Sequence, residues 1–386
     1  MPTRKRASAK PTAGKTAGKS SKRVRYAVVG LGYFSQSAIL PAFAHAKNSE
    51  LVSLVSDDPE KIEKLGRKYK VKSAYRYEQF QDLLDSGDID AAYIALPNDL
   101  HKEYAVRAAM KGIHVLVEKP MALNERDCEE MIRAANEHQV RLMVGYRLHL
   151  EAANLKAVET VQSGAIGDPR FFDSAFSMQV GDGNIRVQTQ HGGGPVWDLG
   201  IYCVNAARYL FRDEPYEAFA ISARKGADPR FNQVDEMTTA ILRFPEDRQA
   251  AFTCSFGAAA LGYYTVAGTE GSVCVDQAYD YAFPATLEIT VGGKARTKEF
   301  EKRDQVAAEL IYFSDCVLYD KEPEPSGIEG LADVRIINAI LESARTGKPV
   351  PIERIVKRTR PSREMEINQP AGGKTGLIHV EAPSRH

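Results

Sequence analysis

Between residues 24 and 146, short uncharged apolar runs alternate with longer runs in which apolar and polar positions recur at helical spacing. Residues 26–29 carry no charge and lead straight into Gly30, as expected of a parallel strand covered on both faces. Residues 34–46 then read as a helix. Residues 50–56 form the second predicted strand. Asp58-Pro59-Glu60 opens the next helix, with Asp58 as N-cap and Pro59 at the first helical position. A short strand near 73–75, a helix over 77–84 and a strand over 89–96 follow. Pro97 ends that strand, and Asn98 can cap a helix running to Lys111, where Gly112 stops it. Strands over 113–117 and 140–145 flank a helix over 124–138. This alternation predicts a doubly wound parallel sheet, an α/β Rossmann domain over residues 24–147.

Past Tyr146 the rhythm changes. A helix over 150–162 breaks at Gly164. From 169 to 300 the pattern is strand-like with turn signals between runs, apart from a helix over 197–210. That predicts a second, α+β domain over residues 148–350 with a largely antiparallel sheet. Helices return over 305–319 and 331–345. Residues 351–386 are polar and Pro-rich and read as an extended tail.

Length supports this division, because 386 residues exceed one comfortable core. Charge adds one asymmetry. Lys plus Arg and Asp plus Glu both number 51, so the whole chain has no bias towards polyanions. Residues 1–23 nevertheless hold basic residues and no acid. Alone, such a segment cannot bury enough surface to order itself. It is expected to be a disordered, solvated tail; sharper readings are a nucleic-acid contact or an arm around a partner subunit. The five cysteines are dispersed with no Cys-x-x-Cys pair, which fits reduced thiols in a cytoplasmic protein. No apolar run reaches membrane-spanning length, and the basic N-terminus lacks the apolar core of a signal peptide. The His residues are scattered and unpaired with Cys, so no metal site is expected.

Candidate chemistry follows from the strand ends, where ligands of open parallel sheets bind. Gly30 and Gly32 allow a sharp turn with uncovered amides before a helix N-terminus, a setting for a dinucleotide pyrophosphate. Ser35 stands where the usual pattern has its third glycine. At the end of the second strand Ser56 can donate to a phosphate and Lys61 can neutralise it, which favours NADP; Asp57 pulls towards NAD, which stays open. Leu96, Pro97 and Asn98 end the fourth strand. His101, one turn on, reads as a capping or surface group. Glu118-Lys119-Pro120 ends the fifth strand opposite the expected nicotinamide. Further along, three glycines precede Asp198 and Tyr202, which are four residues apart and share a helical face. A Tyr to carry the proton, a Lys to stabilise its phenolate and an Asp to fix hydroxyls would suit hydride transfer.

The motifs GLGYFS, LPNDLH, EKP, GYRLH and GGGPVWDLGIYCVNAARYLF, in this order, resemble the glucose–fructose oxidoreductase/inositol dehydrogenase (Gfo/Idh/MocA) family over residues 24–350. The likeness is nearest to the glucose–fructose oxidoreductase-like branch. It implies a Rossmann domain followed by an α/β domain whose large open sheet supports homodimers or homotetramers. It assigns Gly30, Gly32, Tyr33, Phe34 and Ser35 to the pyrophosphate turn, and Ser56 and Lys61 to the 2′-phosphate. Leu96, Pro97, Asn98, His101, Glu118, Lys119, Arg147 and Arg186 fall at cofactor-side positions. Lys119 matches the catalytic lysine and Asp198 the substrate-binding aspartate. Lys119, Arg147, His149, Asp198 and Tyr202 are the substrate contacts it implies. Tyr202, where many members have His, points to aldose rather than inositol oxidation, whereas Gln188 to His191 depart from the branch. The expectation is an NADP-dependent oxidoreductase acting on a cyclic sugar or polyol. Its rivals are an NAD-dependent dehydrogenase or keto-sugar reductase on the same site, and a cofactor-sensing protein with a nucleic-acid-contacting tail. The three proton-handling groups together argue against the last, and so against nucleic acid as a partner.

Overall fold

The computed structural model describes residues 22–224, 226–357, 359–373 and 376–384; the basic segment falls almost wholly outside them. Strands β1 (Val24–Val29), β2 (Ser49–Val55), β3 (Ser73–Tyr75), β4 (Ala91–Ile94), β5 (His114–Glu118) and β6 (Leu142–Gly145) form one parallel sheet in the order β3-β2-β1-β4-β5-β6. The order reverses between β1 and β4, which opens a crevice beyond their carboxyl ends. β4 is buried at every position, consistent with helices on both faces. Helices α1 (Leu40–Ala42), α2 (Pro59–Tyr69), α3 (Phe80–Asp85), α4 (His101–Met110) and α5 (Glu125–Glu137) are interleaved with these strands. Asp58 caps α2, accepting from the amides of Glu60 and Lys61, and Asn124 caps α5.

Two helical starts differ from the simple periodic expectation. The segment after the glycine turn begins as a wide π-type turn, Ser35–Ile39, before α1. The helix expected from residue 197 likewise opens as a π-type turn, Val196–Gly200, before α7 (Ile201–Phe211). Wide turns of this kind are often found at functional sites.

The second sheet has nine strands. Its members are β7 (Pro169–Ser177), β8 (Glu217–Ala223), β9 (Met237–Arg243), β10 (Gln249–Ser255), β11 (Leu261–Gly268), β12 (Gly271–Asp276), β13 (Ala285–Val291), β14 (Lys294–Phe300) and β15 (Val350–Pro351). The order is β14-β13-β12-β11-β7-β10-β9-β8-β15, antiparallel except for the β7–β10 pair. In β9 buried and exposed residues alternate strictly, the signature of a sheet with one face covered. Helices α6 (Ala152–Gln162), α7 (Ile201–Phe211) and α9 (Gly327–Thr346) pack on the covered face. The other face presents Ile221, Leu261 and Phe171 at 65, 51 and 50% exposure.

Helix α8 (Gln305–Leu318) crosses the expected boundary. Its Val306, Ala307, Leu310 and Phe313 pack into one core with Tyr26, Val28, Leu54 and Tyr93 of the first sheet. The helix follows the second sheet in sequence but covers the first in space. Residues 351–357, 359–373 and 376–384 have little regular structure but are docked along both domains. Lys357 pairs with Glu324 and Glu329, Arg360 with Glu214, and Gln36 exchanges hydrogen bonds with the main chain of Ile378.

Candidate active site

A cleft of about 1110 Å³ lies where the two domains meet beyond β1, β2, β4 and β5. Its floor is the glycine turn. Gly30 has φ +97°, and a side chain there would place Cβ 2.4 Å from the carbonyl oxygen of Ala95. Only glycine lets β1 turn this close to the end of β4. Nothing lies within 4 Å of a Cβ built on Gly32, so that amide borders open cleft. Ser35 accounts for the missing third glycine: its hydroxyl donates to the Gly30 carbonyl at 2.7 Å and pins the turn to the helix. Tyr33, Phe34 and Ser35 line the same wall. An open, amide-rich cradle at a helix start, in a cleft of this size, fits a dinucleotide.

At the end of β2, Ser56 and Lys61 line the cleft. Asp57 is not part of the cleft lining, and its carboxylate accepts from the Tyr77 amide at 3.0 Å. Leu96, Pro97 and Asn98 form the next part of the wall. Asn98 does not cap its helix. Its side-chain amide donates to the Gly192 carbonyl at 3.1 Å, joining the nucleotide domain to the glycine-rich loop of the other. His191 beside it lies 3.0 Å from Asp99.

The cofactor-side expectation for His101 is corrected. Its ring is fully buried, with its nitrogens 2.9 Å from the carbonyl oxygens of Leu96 and Pro120. Burial lowers its pKa despite those contacts. It fastens the ends of β4 and β5 to each other from behind the cleft, neither capping α4 nor facing a ligand.

The substrate expectation for His149 is corrected too. In the turn Arg147–Leu150 the arginine faces the cleft and the histidine faces the core. There it meets Glu324 at 2.5 Å and Asn205 at 2.7 Å. Arg208, wholly buried, pairs nearby with Glu214, Glu329 and Asp333. This polar cluster ties α7 to α9 and to Lys357 and Arg360.

The remaining predicted groups converge. Lys119 Nζ donates to both Oδ1 and the carbonyl oxygen of Asp198, each at 2.9 Å. Arg186 Nε donates to the other carboxylate oxygen at 2.7 Å. Burial alone would raise the pKa of Asp198, but Arg186 and Lys119 outweigh it and hold the carboxyl well below the usual range. The Tyr202 ring lies between cations: Lys119 Nζ is 4.8 Å and Arg147 Cζ 5.1 Å from its centroid. Arg147 Nη2 donates to the phenol oxygen at 3.3 Å, so the arginine, rather than the lysine, touches that oxygen. Arg147 is itself held by Gln305 and the Tyr279 carbonyl. Glu118 accepts from Tyr93 at 2.8 Å, and burial raises its pKa and that of Glu309 behind it.

The far wall was not legible in the sequence. Phe176, Met178, Gln277 and Asp280 come from the second sheet and its loops, and Ala382, Pro383 and Ser384 from the tail. No motif or charge pattern marks these positions; only the order of the sheet brings them to the cleft.

Residues 24–146 match the family described as an oxidoreductase family with an NAD-binding Rossmann fold, and residues 154–274 match the GFO/IDH/MocA C-terminal domain. The D-xylose 1-dehydrogenase (NADP(+)) of Haloarcula marismortui is 32% identical over 338 residues, covering 86% of this chain and 93% of that protein. D-xylose 1-dehydrogenase (NADP(+)) 2 of Haloferax volcanii is 28% identical over 332 residues, covering 85% and 99%. The crystal structure of aldose–aldose oxidoreductase from Caulobacter crescentus, complexed with glycerol, superposes with a TM-score of 0.82 at 36% identity, covering 86% of this chain and all of that one. Glycine turn, strand-end lysine and sheet order thus agree with likeness along most of the chain, and the protein belongs to the Gfo/Idh/MocA family of oxidoreductases.

Proposed function

We propose that the protein is an NADP-dependent oxidoreductase acting on a CH–OH group of a cyclic aldose or related polyol. The observation that carries this reading is the Lys119–Asp198–Arg186 cluster beside Tyr202, in the same cleft as the glycine turn. Bound nicotinamide supplies the hydride acceptor. The protein's own groups do the rest. Asp198, kept ionised, accepts from sugar hydroxyls, and Lys119 donates to them. Tyr202 takes the hydroxyl proton as the hydride leaves, and the Arg147 N–H directed at its oxygen stabilises the negative charge that oxygen holds before the proton arrives.

Ser56 and Lys61 on the wall, with Asp57 outside the lining, favour a 2′-phosphate. The names of the NADP(+) xylose dehydrogenases and of the aldose–aldose oxidoreductase support the same cofactor and substrate class. Two further readings belong with it. The apolar uncovered face of the nine-stranded sheet is where a second copy of the chain docks. The free thiols Cys128, Cys203, Cys254, Cys274 and Cys316 suit the cytoplasm; none of the described helices is long and apolar enough to cross a membrane.

The test is an aldose panel read at nicotinamide absorbance with NADP and with NAD. Turnover of an aldose with NADP in preference to NAD is expected. Lys119→Ala should lower kcat about a thousandfold while circular dichroism is unchanged. Full turnover by that variant would refute the assignment.

A further inference from the structure

Residues 378–384 pass from one domain to the other along the cleft. At the first end, Ile378 is held to Gln36 by a reciprocal pair of hydrogen bonds, 2.8 and 2.9 Å. Gln36 also donates to the Leu31 carbonyl inside the glycine turn, so this anchor sits on the dinucleotide cradle itself. The next residue, His379, places its ring nitrogens 2.7 Å from Asp58 and 3.0 Å from Glu60. These two carboxylates start α2, between Ser56 and Lys61. At the other end, the Gly181 amide donates to the Pro383 carbonyl at 2.9 Å, and Ser384 bridges to Val180. Val180 and Gly181 follow β7 and belong to the second domain. Ala382, just before the second anchor, and the anchor residues Pro383 and Ser384 line the same cleft as the glycine turn.

A chain this short is a tether. The peptide units from His379 to Pro383 reach about 14 Å when fully extended. While both ends are docked, the domains cannot separate on this side by more than the tether allows. A dinucleotide lying from the glycine turn to Ser56 therefore cannot leave sideways unless one anchor lets go.

We propose that residues 378–384 are a structural part of the dinucleotide site, a strap whose release limits exchange of the cofactor. The proposal rests on the reading that NADP occupies this cleft. The first anchor joins the buried Gln36 side chain to Ile378, which packs against the core of the first domain, and the second meets the buried Val180. Only a few contacts hold each end and His379 between them is half exposed, so undocking is a local event that leaves both sheets intact. Cofactor release is then governed by a segment that touches none of the reacting groups.

The experiment measures NADPH release by fluorescence after mixing the preloaded protein with excess NADP. Three proteins are compared: the full chain, a variant ending at Gly373, and a variant with Gly-Gly-Ser inserted between Val380 and Glu381. The insertion keeps every anchor but slackens the tether. Both variants should release NADPH about tenfold faster or more, and the insertion variant, which keeps every cleft-lining residue, should do so with kcat at saturating NADP and sugar not lowered. Release at the full-chain rate from the insertion variant, with its melting temperature unchanged, would overturn the strap. If the shortened variant does not fold, the insertion variant alone decides. A full chain that binds no NADPH would instead refute the cofactor reading, and the strap with it; binding with unaltered release refutes only the strap.

Discussion

His149 shows how one residue can be read correctly as special and wrongly as to its purpose. Burial works against charge on its ring, but Glu324 outweighs that and raises its pKa above the usual value. Because the folded value lies above the unfolded one, its contribution to stability is fully present below about pH 6.5 and is lost as pH rises through the folded value. Melting temperature should therefore fall as pH rises above about 6.5. His149→Gln should be less stable at pH 6 and show a flatter decline, measured by scanning calorimetry; an unchanged slope would rule out His149 as its source. The motif Gly-Tyr-Arg-Leu-His could not reveal this. Arg147 and His149 sit two apart in a tight turn, so one faces the cleft and the other the core. Asp198 differs in sign. Its lowered pKa keeps it ionised through the working range, and that part of stability disappears only on acidification through the folded value.

At the level of elements, local signals were clearest where the backbone itself is constrained. Gly30, Asp58 and Asn124 declare a turn and two helix starts through steric and capping chemistry that needs no distant partner. The central strands β1 and β4 were visible because burial on both faces leaves a nearly unbroken apolar run, whereas the short edge strand β3, with no buried residue, was marked only by its place between two helices. The wide turns before α1 and α7 were not, since a single added residue in one turn barely alters the apolar period. The placement of α8 also escaped, because its apolar stripe fits either sheet equally well by sequence. One substitution tests the account of the first turn. Gly30→Ala puts Cβ 2.4 Å from a main-chain oxygen at a φ that disfavours side chains. It should cost about 3 kcal/mol of stability and abolish NADP binding, read by urea unfolding and by fluorescence titration. A variant of native stability would show that the turn has more room than these distances imply.

Among the described residues, nothing covers one face of the larger sheet. Met237, Thr239 and Ile241 of β9 share that face with Ile221 of β8, as the strand register requires. Ile241→Lys, at a half-exposed position far from the cleft, should shift the protein towards monomer in sedimentation without unfolding it. An unaltered assembly would move the interface elsewhere. The domains are joined in a different way, and that joint has an evolutionary consequence. Asp198 from the second domain is gripped by Lys119 from the first and by Arg186 from its own. The group proposed to read the substrate is also a rivet between the halves. Neither half can be exchanged freely with that of a relative, because a transplanted nucleotide domain must bring a lysine at this strand end and accept the crossing chain at Gln36. Recombination at this boundary is thus constrained by this carboxylate among other crossing contacts, and chimaeras that keep the lysine–aspartate match are favoured to survive.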